Sequence, residues 1–504
     1  MSKIVLDPGE VTLDQLRAIW RGGDIQLAPS AWEAVDASAA AVGRIVESGR
    51  TVYGINTGFG LLAQTRIPRD RLAELQRNLI LSHSCGLGEA LSPQVVRLVM
   101  VLKAIGLGRG MSGISRGVVE RLLALLDAGA LPVIPAQGSV GASGDLAPLA
   151  HLSAALIGEG RIAVAGEALA GGEALRRLAL EPLMLGPKEG LALINGTQVS
   201  TAIALDALFT AERVFGAGLI AGAISVDAFR GTDAAFDPRI HEARGQPGQI
   251  AVATVLRGLL AGSGIRASHS DCDRVQDPYS FRCQPQVMGA VLDLLRQVAG
   301  TLTIEANAVT DNPILFGEEA VSGGNFHAEP VAFAADILAM ALCEIASISE
   351  RRVAVLIDPK MSGLPPFLTR DSGVNSGFMI AQVTAAALVS ENKSLAWPAS
   401  VDTIPTSAGQ EDHVSMATHA GAKARRIAGN AAGAIGIELL AAAQGIDFHR
   451  PLQTSDALEE AMRMIRSQAP FYETDRYMAD DLAWAQRAVV EGAFEKLVPE
   501  FLFN

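Results

Sequence analysis

Long helical segments in the second half of the sequence limit the fold more than any other feature. In each segment, apolar residues recur at about every third or fourth position, which is the period of an amphipathic helix. Each is much longer than the average globular helix of about 11 residues. The segments are 197–228, 285–308, 330–357, 375–396 and 414–444. We therefore predict a mainly α fold, a bundle of long helices that run roughly parallel or antiparallel.

The part before these segments is more broken and richer in loops, and it predicts helices with few short strands. Ser or Thr followed three residues later by Glu or Gln is a capping box, and this pattern at 12–15 and 30–33 predicts two opening helices. A short hairpin is expected around Gly166. We predict two parts, a loop-rich part over 1–195 that carries the reactive segment and a long-helix part over 196–504.

The charge and composition exclude some classes of partner. The net charge of −13 and the isoelectric point near 5.2 argue against a nucleic-acid or anionic-membrane partner, since both need clustered Lys and Arg. The segment 427–446 is apolar but contains Asn430 and Glu438, so it is a weak membrane candidate. The first residues lack the apolar core of a secretory signal, and we expect a cytoplasmic protein.

The low fraction of charged residues also predicts that the protein forms an oligomer. Only 19% of the residues are charged and the mean hydropathy is +0.28, which implies more apolar surface than a monomer would hide. We infer extensive contacts between subunits.

No metal site is predicted. His327 and Glu329 form the H-x-E pattern of zinc deaminases, but no P-C-x-x-C follows. The side chains of 411–413 would diverge on a helix and could not converge on one ion without help. The cysteines show no C-x-x-C spacing, so we expect reduced thiols. They are Cys85, Cys272, Cys283 and Cys343.

A run of small residues at 138–149 is the stretch where we place the chemistry. Glycine at every third position from 138 to 144 allows a sharp bend. The amide nitrogen of Gly144 can fold back onto the Ala142 carbonyl, and Ser143 can lose its hydroxyl. Two dehydrations would leave an electrophilic alkene on a five-membered ring. These residues alone favour a plainer interpretation, a flexible turn before a helix whose dipole Asp145 complements.

Short polar motifs lie at the ends of the long helices, where a bundle can bring distant residues together. Of only four tyrosines in the chain, Tyr53 and Tyr279 lie in such interruptions, which makes them candidates for a site. Each motif also has a plainer interpretation: Arg282 as a helix-end salt-bridge partner and His83 as a buried core histidine. The motifs are LINGTQ at 193–198, RVQDPYSFRCQ at 274–284, DNP at 311–313, GGNFHAE at 323–329 and GQEDH at 409–413.

Taken together, these motifs resemble those of the aromatic amino acid lyase family. The stretch GSVGASGDLAPLAH at 138–151 looks like the family signature, in which Ala142, Ser143 and Gly144 become the prosthetic group 4-methylidene-imidazol-5-one (MIO) without an external cofactor. The matches run in order from Tyr53 to Met416. The resemblance implies that the small-residue run is a precursor of an electrophile and not an ordinary turn.

The resemblance implies a role for each matching residue. The substrate amine would add to the methylidene carbon derived from Ser143, and Tyr53 would take the β-proton, for which it needs positive surroundings because a free tyrosine has a pKa of about 10. Arg282 would pair with the substrate carboxylate. The remaining site residues would be Asn195, which bonds the prosthetic group and substrate, Gln276, Asn312, Tyr279 as an acid or positioning group, and Phe326 as a shield against water.

Two positions imply the substrate. Ser82 with His83 looks like the pair of histidine-specific members, and Glu411 stands where tyrosine and phenylalanine enzymes usually carry Gln. Both imply that L-histidine is converted to trans-urocanate and ammonia. Gly409 departs from the family, which usually has Asn there, and this change bears on selectivity and turnover.

The resemblance further implies a homotetramer whose active sites combine residues from three subunits. The alternatives are a tyrosine or phenylalanine ammonia-lyase, an aminomutase of the same family, and a non-catalytic helical assembly protein. A nucleotide-dependent oxidoreductase is suggested only by G-x-G-x-x-G at 108–113, where neither a preceding strand nor a series of βαβ units is predicted.

Overall fold

The computed structural model describes residues 3–60, 64–269, 274–499 and 503, so Cys272 lies outside the described residues. Helices predominate. In chain order they are α1 (Leu13–Trp20), α2 (Pro29–Ser48), α3 (Leu72–His83), α4 (Pro93–Gly108), α5 (Arg116–Asp127), α6 (Leu146–Leu156), α7 (Gly171–Arg177), α8 (Glu189–Ile194), α9 (Gln198–Ala228), α10 (Pro238–Arg244), α11 (Pro247–Leu260), α12 (Gly264–Ala267), α13 (Tyr279–Arg282), α14 (Gln284–Ala306), α15 (Glu329–Ile357), α16 (Pro359–Ser362), α17 (Met379–Leu395), α18 (Ala417–Asp447), α19 (Asp456–Arg466) and α20 (Ala479–Val490).

The strands are short and form small separate sheets. They are β1 (Ile4–Leu6), β2 (Ile25–Leu27), β3 (Leu87–Ala90), β4 (Leu131–Pro132), β5 (Pro135–Gln137), β6 (Arg161–Val164), β7 (Glu167–Ala170), β8 (Ile314–Phe316) and β9 (Glu319–Val321). β1 pairs with β2 in parallel, whereas β3 with β5, β4 with β6, β6 with β7 and β8 with β9 are antiparallel. The hairpin of β6 and β7 turns at Gly166, as predicted.

The predicted fold class is confirmed. The five long segments correspond to α9, α14, α15, α17 and α18, and each predicted end lies within four residues of the observed end. Apolar periodicity therefore located these helices well. It could not fix their ends to the residue, because helix ends fray and the last turn is often irregular.

The two capping boxes have different outcomes. Thr12 caps α1, with its side chain and that of Gln15 each accepting from the other's backbone N–H. The box expected at 30–33 is wrong, because α2 begins at Pro29 with Ala28 as its N-cap and without a side-chain cap. Proline suits the first helical position, since the N–H that it lacks would have no partner within the helix.

The chain forms two compact units, each made of three segments. The first comprises Met1–Asp206, Ala299–Asp336 and Pro398–Ala422, and the second comprises Ala207–Val298, Ile337–Trp397 and Lys423–Asn504. All of the strands named above belong to the first unit. The division into 1–195 and 196–504 stays a prediction.

Packing of α3, α6 and α8 in the first unit positions the candidate site. Each of these helices contacts the other two. In α6 nearly every residue is buried, and α8 is buried throughout. A helix that is apolar on all sides is typical of a protein interior. The loop before α6 and the loop after α8 are therefore each joined to a buried helix, which holds one end of the loop in place.

In the part of the chain that the structure describes, four helices are long and apolar enough to span a membrane by length and composition alone: α9, α14, α15 and α18. The most apolar windows of α9 and α18 are 89% and 94% buried inside the protein, so protein contacts account for their composition. The corresponding windows of α14 and α15 are 44% and 67% buried. These two helices leave more apolar surface uncovered.

Candidate active site

The backbone of Ala142–Ser143–Gly144 is bent tightly against the loop after α8. Gly144 has φ +75°, and a Cβ built on it would lie 2.2 Å from the carbonyl oxygen of Gly196, so no larger residue is accommodated. The backbone N–H of Asp145 donates to the same carbonyl at 2.8 Å. The sharp bend expected from the glycines is present.

Asp145 anchors this bend through its buried carboxylate. Oδ1 accepts from the hydroxyls of Ser139 (2.9 Å) and Thr418 (2.7 Å). Oδ2 accepts from the N–H groups of Val199 (3.0 Å) and Ser200 (2.8 Å) and from the Ser200 hydroxyl (2.9 Å). The carboxylate thus satisfies two N–H groups in the first turn of α9.

The interpretation of Asp145 as an acidic group for the helix that follows it in sequence is therefore corrected. Asp145 is the N-cap residue of α6, but its side chain makes no cap hydrogen bond there. Its carboxylate serves the N-terminus of α9 instead. The Gly144–Gly196 contact brings the start of α9 to this carboxylate, which sequence spacing could not reveal.

Ser143 is held at two atoms. Its hydroxyl donates to Oε1 of Glu411 at 2.7 Å, and its carbonyl oxygen accepts from Nδ2 of Asn195 at 2.9 Å. The other oxygen of Glu411 accepts from the hydroxyls of Thr406 and Ser407, both at 2.7 Å. Burial raises the pKa of Glu411, but these hydroxyl donors outweigh burial and the net pKa lies below its ordinary value. Glu411 is thus a carboxylate at neutral pH.

His83 ends α3 as a neutral imidazole. Burial lowers its pKa, although the backbone hydrogen bond to Leu79 and the charge of Glu411 oppose the shift. Nδ1 lies 2.8 Å from the Leu79 carbonyl oxygen, so Nδ1 carries the proton and Nε2 is left as an acceptor. Nε2 can therefore receive an N–H from a polar ligand.

Tyr53 lies in the predicted loop and is partly buried, with its ring edge-on to Phe59. Burial raises its pKa, the backbone hydrogen bond with Gly60 lowers it, and the charge of Glu411 raises it further. The net pKa lies above the ordinary value. Within one chain, burial and the charge of Glu411 thus keep Tyr53 protonated at neutral pH, and the positive surroundings expected for it stay a prediction.

The remaining predicted residues fall into two groups. In the first unit, the Asn312 side chain accepts from the Gly323 N–H at 2.8 Å and so fixes the turn that leads to the partly buried Phe326. In the second unit, Arg282 lies over the exposed ring of Tyr279, 4.7 Å from its centroid, and Gln276 is exposed. The roles of these residues stay predictions.

The segment that carries Glu411 has an unusual backbone. Ser407, Ala408 and Gly409 have φ values of +49°, +55° and +85°. Among the described residues, no heavy atom lies within 4 Å of a Cβ built on Gly409. Asn and Gly are the residues that best tolerate this left-handed region, so Gly409 suits the same backbone as the Asn usual in the family.

His327, Glu329 and His413 form a cluster that sequence reasoning did not foresee. Their donor atoms lie within 4.8 Å of one another, and Oε2 of Glu329 is buried without a hydrogen-bond partner among the described residues. The ligands of a tetrahedral zinc ion lie closer, at about 3.4 Å from one another. The side chains would have to move to hold such an ion, and the absence of a metal from the reaction stays a prediction.

Two buried residues with a part in the site were also missed. Sequence spacing links Asp145 to α6, whereas its carboxylate binds the start of α9, and the sequence assigns no role to Lys103 on α4. Lys103 lies in an apolar helical segment, and lysine is rare at buried positions. A lysine within such a segment was the one feature of the sequence that could have identified it. Its partners are backbone carbonyls, which sequence patterns do not identify.

Comparisons with known proteins agree with this geometry. The family model of the aromatic amino acid lyases matches residues 11–467. The chain is 58% identical to the histidine ammonia-lyase of Paracidovorax citrulli over 508 residues, covering 99% of each chain. It is 58% identical to that of Burkholderia pseudomallei over 499 residues, covering 98% of each.

Solved structures show the same similarity. The crystal structure of histidine ammonia-lyase from Trypanosoma cruzi superposes with a TM-score of 0.92 at 42% identity, covering 100% of this chain and 97% of that one. The tyrosine aminomutase of Streptomyces globisporus has a TM-score of 0.93 at 33% identity, covering 98% of both chains. From these matches and the geometry around Ser143, we conclude that the chain belongs to the aromatic amino acid lyase family.

Proposed function

We propose that this protein is a histidine ammonia-lyase, which removes ammonia from L-histidine without oxidation and releases trans-urocanate. The observation that carries the proposal is the 2.7 Å hydrogen bond between Ser143 and Glu411. It joins the serine of the proposed electrophile to the carboxylate proposed to recognise an imidazole. The 58% identity to curated histidine ammonia-lyases supports the same substrate.

The electrophile in this proposal is MIO, made from the chain itself. The nitrogen of Gly144 bonds to the carbonyl carbon of Ala142, whose oxygen leaves as water with the amide hydrogens of Gly144 and Ser143. Ser143 then loses its hydroxyl group and its Cα hydrogen, which leave as a second water and leave a double bond between Cα and Cβ. The residues present fit this group, because Gly144 is bent at φ +75° and the Asn195 amide already holds the oxygen that becomes the ring carbonyl.

MIO would supply an electrophilic alkene carbon that captures the substrate amine. The chain supplies recognition of the imidazole: Glu411, ionised, and Nε2 of His83, unprotonated, are both acceptors for its N–H groups. A phenylalanine ring offers no N–H, and it would leave these acceptors unpaired. The pair therefore favours histidine.

Proton removal from the β-carbon is assigned to Tyr53. Its pKa is raised in the single chain, so Tyr53 is a phenol at neutral pH there. As a base it requires added positive charge, which binding of the substrate or a neighbouring subunit would supply. Arg282 is proposed to bind the substrate carboxylate, with Gln276, Asn312 and Tyr279 lining the site and Phe326 excluding water.

We further propose a cytoplasmic homotetramer with active sites shared between subunits. Large apolar side chains are exposed on α15 and α17, where Met340 is 48%, Ile380 63% and Val383 51% exposed. Apolar faces of this kind are typical of subunit interfaces. Residues from a neighbouring subunit would also change the charge around Tyr53.

A second candidate is an aminomutase of the same family, which shares the electrophile and returns the amine to the β-carbon. The structural similarity to tyrosine aminomutase, with a TM-score of 0.93, is the observation that favours this second candidate. An aminomutase is expected to yield a β-amino acid as the main product, whereas an ammonia-lyase yields the conjugated acid and free ammonia.

The deciding experiment is incubation with L-histidine, L-tyrosine and L-phenylalanine, followed by the ultraviolet absorbance of each conjugated acid. We expect product from histidine and far less from the others, and a lack of urocanate would reject the proposal. Intact mass should fall two waters below the sequence mass. Ser143→Ala should abolish the mass deficit and the activity, whereas Ser48→Ala should keep both, since the Ser48 hydroxyl bonds only backbone groups at the end of α2, the Ile45 carbonyl and the Arg50 N–H.

A further inference from the structure

Lys103 is a buried lysine whose position the reaction does not explain. It lies on α4 and is 2% exposed. Its Nζ donates to the carbonyl oxygens of Ala192 at 3.0 Å and Asn195 at 2.8 Å, at the end of α8. A buried ammonium is costly unless it satisfies polar groups, so these two bonds explain how the lysine is tolerated. They also fasten the end of α8.

Asn195 stands between Lys103 and Ser143. Its main-chain carbonyl is held by Lys103, while its side-chain N–H group holds the Ser143 carbonyl at 2.9 Å. The next residue, Gly196, accepts from the Asp145 N–H and packs directly on Gly144. A shift of the main chain at 195–196 would therefore move two of the hydrogen bonds that hold the reactive segment.

The Asn195 side chain is not fixed by its own oxygen. Oδ1 of Asn195 and Oε1 of Gln198 are buried without partners among the described residues. Both residues line a cavity of about 10 Å³ that Lys103 and Asp311 also line. With Oδ1 lacking a partner among the described residues, the position of the Asn195 amide depends on its main chain, which Lys103 holds at the carbonyl and the Leu191 carbonyl holds at the N–H, at 2.9 Å.

We propose that Lys103 is a positioning residue. It holds the main chain of Asn195 so that the Asn195 amide keeps its hydrogen bond to the Ser143 carbonyl while the MIO ring closes. This inference rests on the proposed function. The bonds that form and break are those given above: Gly144 N bonds to Ala142 C, and two waters leave. Lys103 exchanges no atom with the ring and acts only through Asn195.

The test follows ring closure by intact mass in freshly synthesised protein. Lys103→Met keeps the length of the side chain and removes the donor, and we expect the two-water deficit to appear at least about tenfold more slowly than in the unaltered protein. Lys423→Met is the matched control, since Lys423 is also buried and also donates to a backbone carbonyl, that of Trp397. The control should close its ring at the normal rate.

A double-mutant cycle separates positioning from general loss of stability. If Lys103 acts through Asn195, then Lys103→Met should add no further slowing to Asn195→Ala, whereas independent slowing by both substitutions overturns the inference. Lys103→Gln, which keeps a shorter N–H donor, should close its ring faster than Lys103→Met. It also provides the test if the methionine variant does not fold.

The possible outcomes distinguish this inference from the function it rests on. If the unaltered protein shows no mass deficit, the proposed electrophile fails and the inference fails with it. If the unaltered protein and Lys103→Met both close the ring at the same rate, only the role of Lys103 is overturned. Slower closure in Lys103→Met, with normal closure in Lys423→Met, supports it.

Discussion

Glu411 is the residue on which the proposed specificity depends. Its two carboxylate oxygens have different partners, Ser143 on one side and the hydroxyls of Thr406 and Ser407 on the other. The sequence allowed its position to be identified from a motif. It did not reveal the hydroxyl donors, because the bend that brings 406 and 407 back to 411 depends on residues with positive φ, which no pattern at 405–408 predicts.

Replacing Glu411 by Gln should change substrate preference more than ring formation. The amide has lost the charge that favours an imidazole N–H, so we expect kcat/KM for L-histidine to fall at least about tenfold, and the ratio of histidine to tyrosine turnover to fall with it. The two-water mass deficit should remain. Glu318→Gln, which alters an exposed pair with Arg44, is the control. An unchanged ratio would contradict the assigned role.

Gly409→Asn tests whether the departure from the family matters. With φ at +85° and open space around a built Cβ, asparagine should be accommodated and change the unfolding free energy by no more than about 1 kcal/mol. Gly409→Val should cost about 1–3 kcal/mol, because a β-branched residue is strained at positive φ. Thermal unfolding of the two variants checks this, and equal losses would show that backbone strain is not the cause.

At the scale of elements, the start of α9 is fastened to the candidate site by polar contacts. Asp145 supplies the acceptor for the first turn of α9, while Lys103 supplies donors for the end of α8. Apolar periodicity predicted α9 to within a residue of its observed start and end. The polar residues that fasten it come from 54 or more positions away, so the spacing could not link them.

Asp145→Ala should destabilise the first unit and block ring formation. The substitution leaves the donors of Val199 and Ser200 buried without an acceptor, for which we expect a loss of about 3–5 kcal/mol. Asp145→Asn keeps one carbonyl oxygen and should lose less. Urea unfolding and intact mass measure the two effects. A full mass deficit in a folded Asp145→Ala variant would refute the idea that this anchor shapes the reactive bend.

The buried amino group of Lys103 should give a measurable dependence of stability on pH. Burial and the charge of Lys188 together lower the pKa of Lys103 to about 7, against the opposing charges of Asp311 and Asp145. Between pH 7 and the ordinary value of 10.5 the unfolded chain binds a proton that the folded chain does not. Stability from this group therefore rises with pH in that window, by up to about 1.4 kcal/mol per pH unit.

Comparison of the unaltered protein with Lys103→Met isolates this contribution. The difference in unfolding free energy between the two, measured in urea from pH 7.5 to 9.5, should shift with pH in favour of the unaltered protein. A difference that does not vary with pH would mean that Lys103 keeps the same proton in both states.

At the scale of the whole molecule, the long apolar helices differ in how much of their apolar surface is buried within one chain. The windows of α9 and α18 are almost wholly buried, whereas α14 and α15 leave large side chains such as Ile304 and Met340 exposed. Composition alone predicted that surplus of apolar surface. It could not say which helices carry it, because burial depends on how the helices pack.

The exposed face of α17 offers a direct test of assembly. Ile380→Glu and Val383→Glu place charges on side chains that are 63% and 51% exposed in one chain. If this face is buried between subunits, the unpaired charges should dissociate the proposed tetramer, and activity should fall in parallel if the active sites are shared. Ile240→Glu, on the short helix α10, is the control. Light scattering and urocanate production on the same samples decide: intact tetramers with full activity would place the subunit interface elsewhere, and active monomers would rule out shared sites.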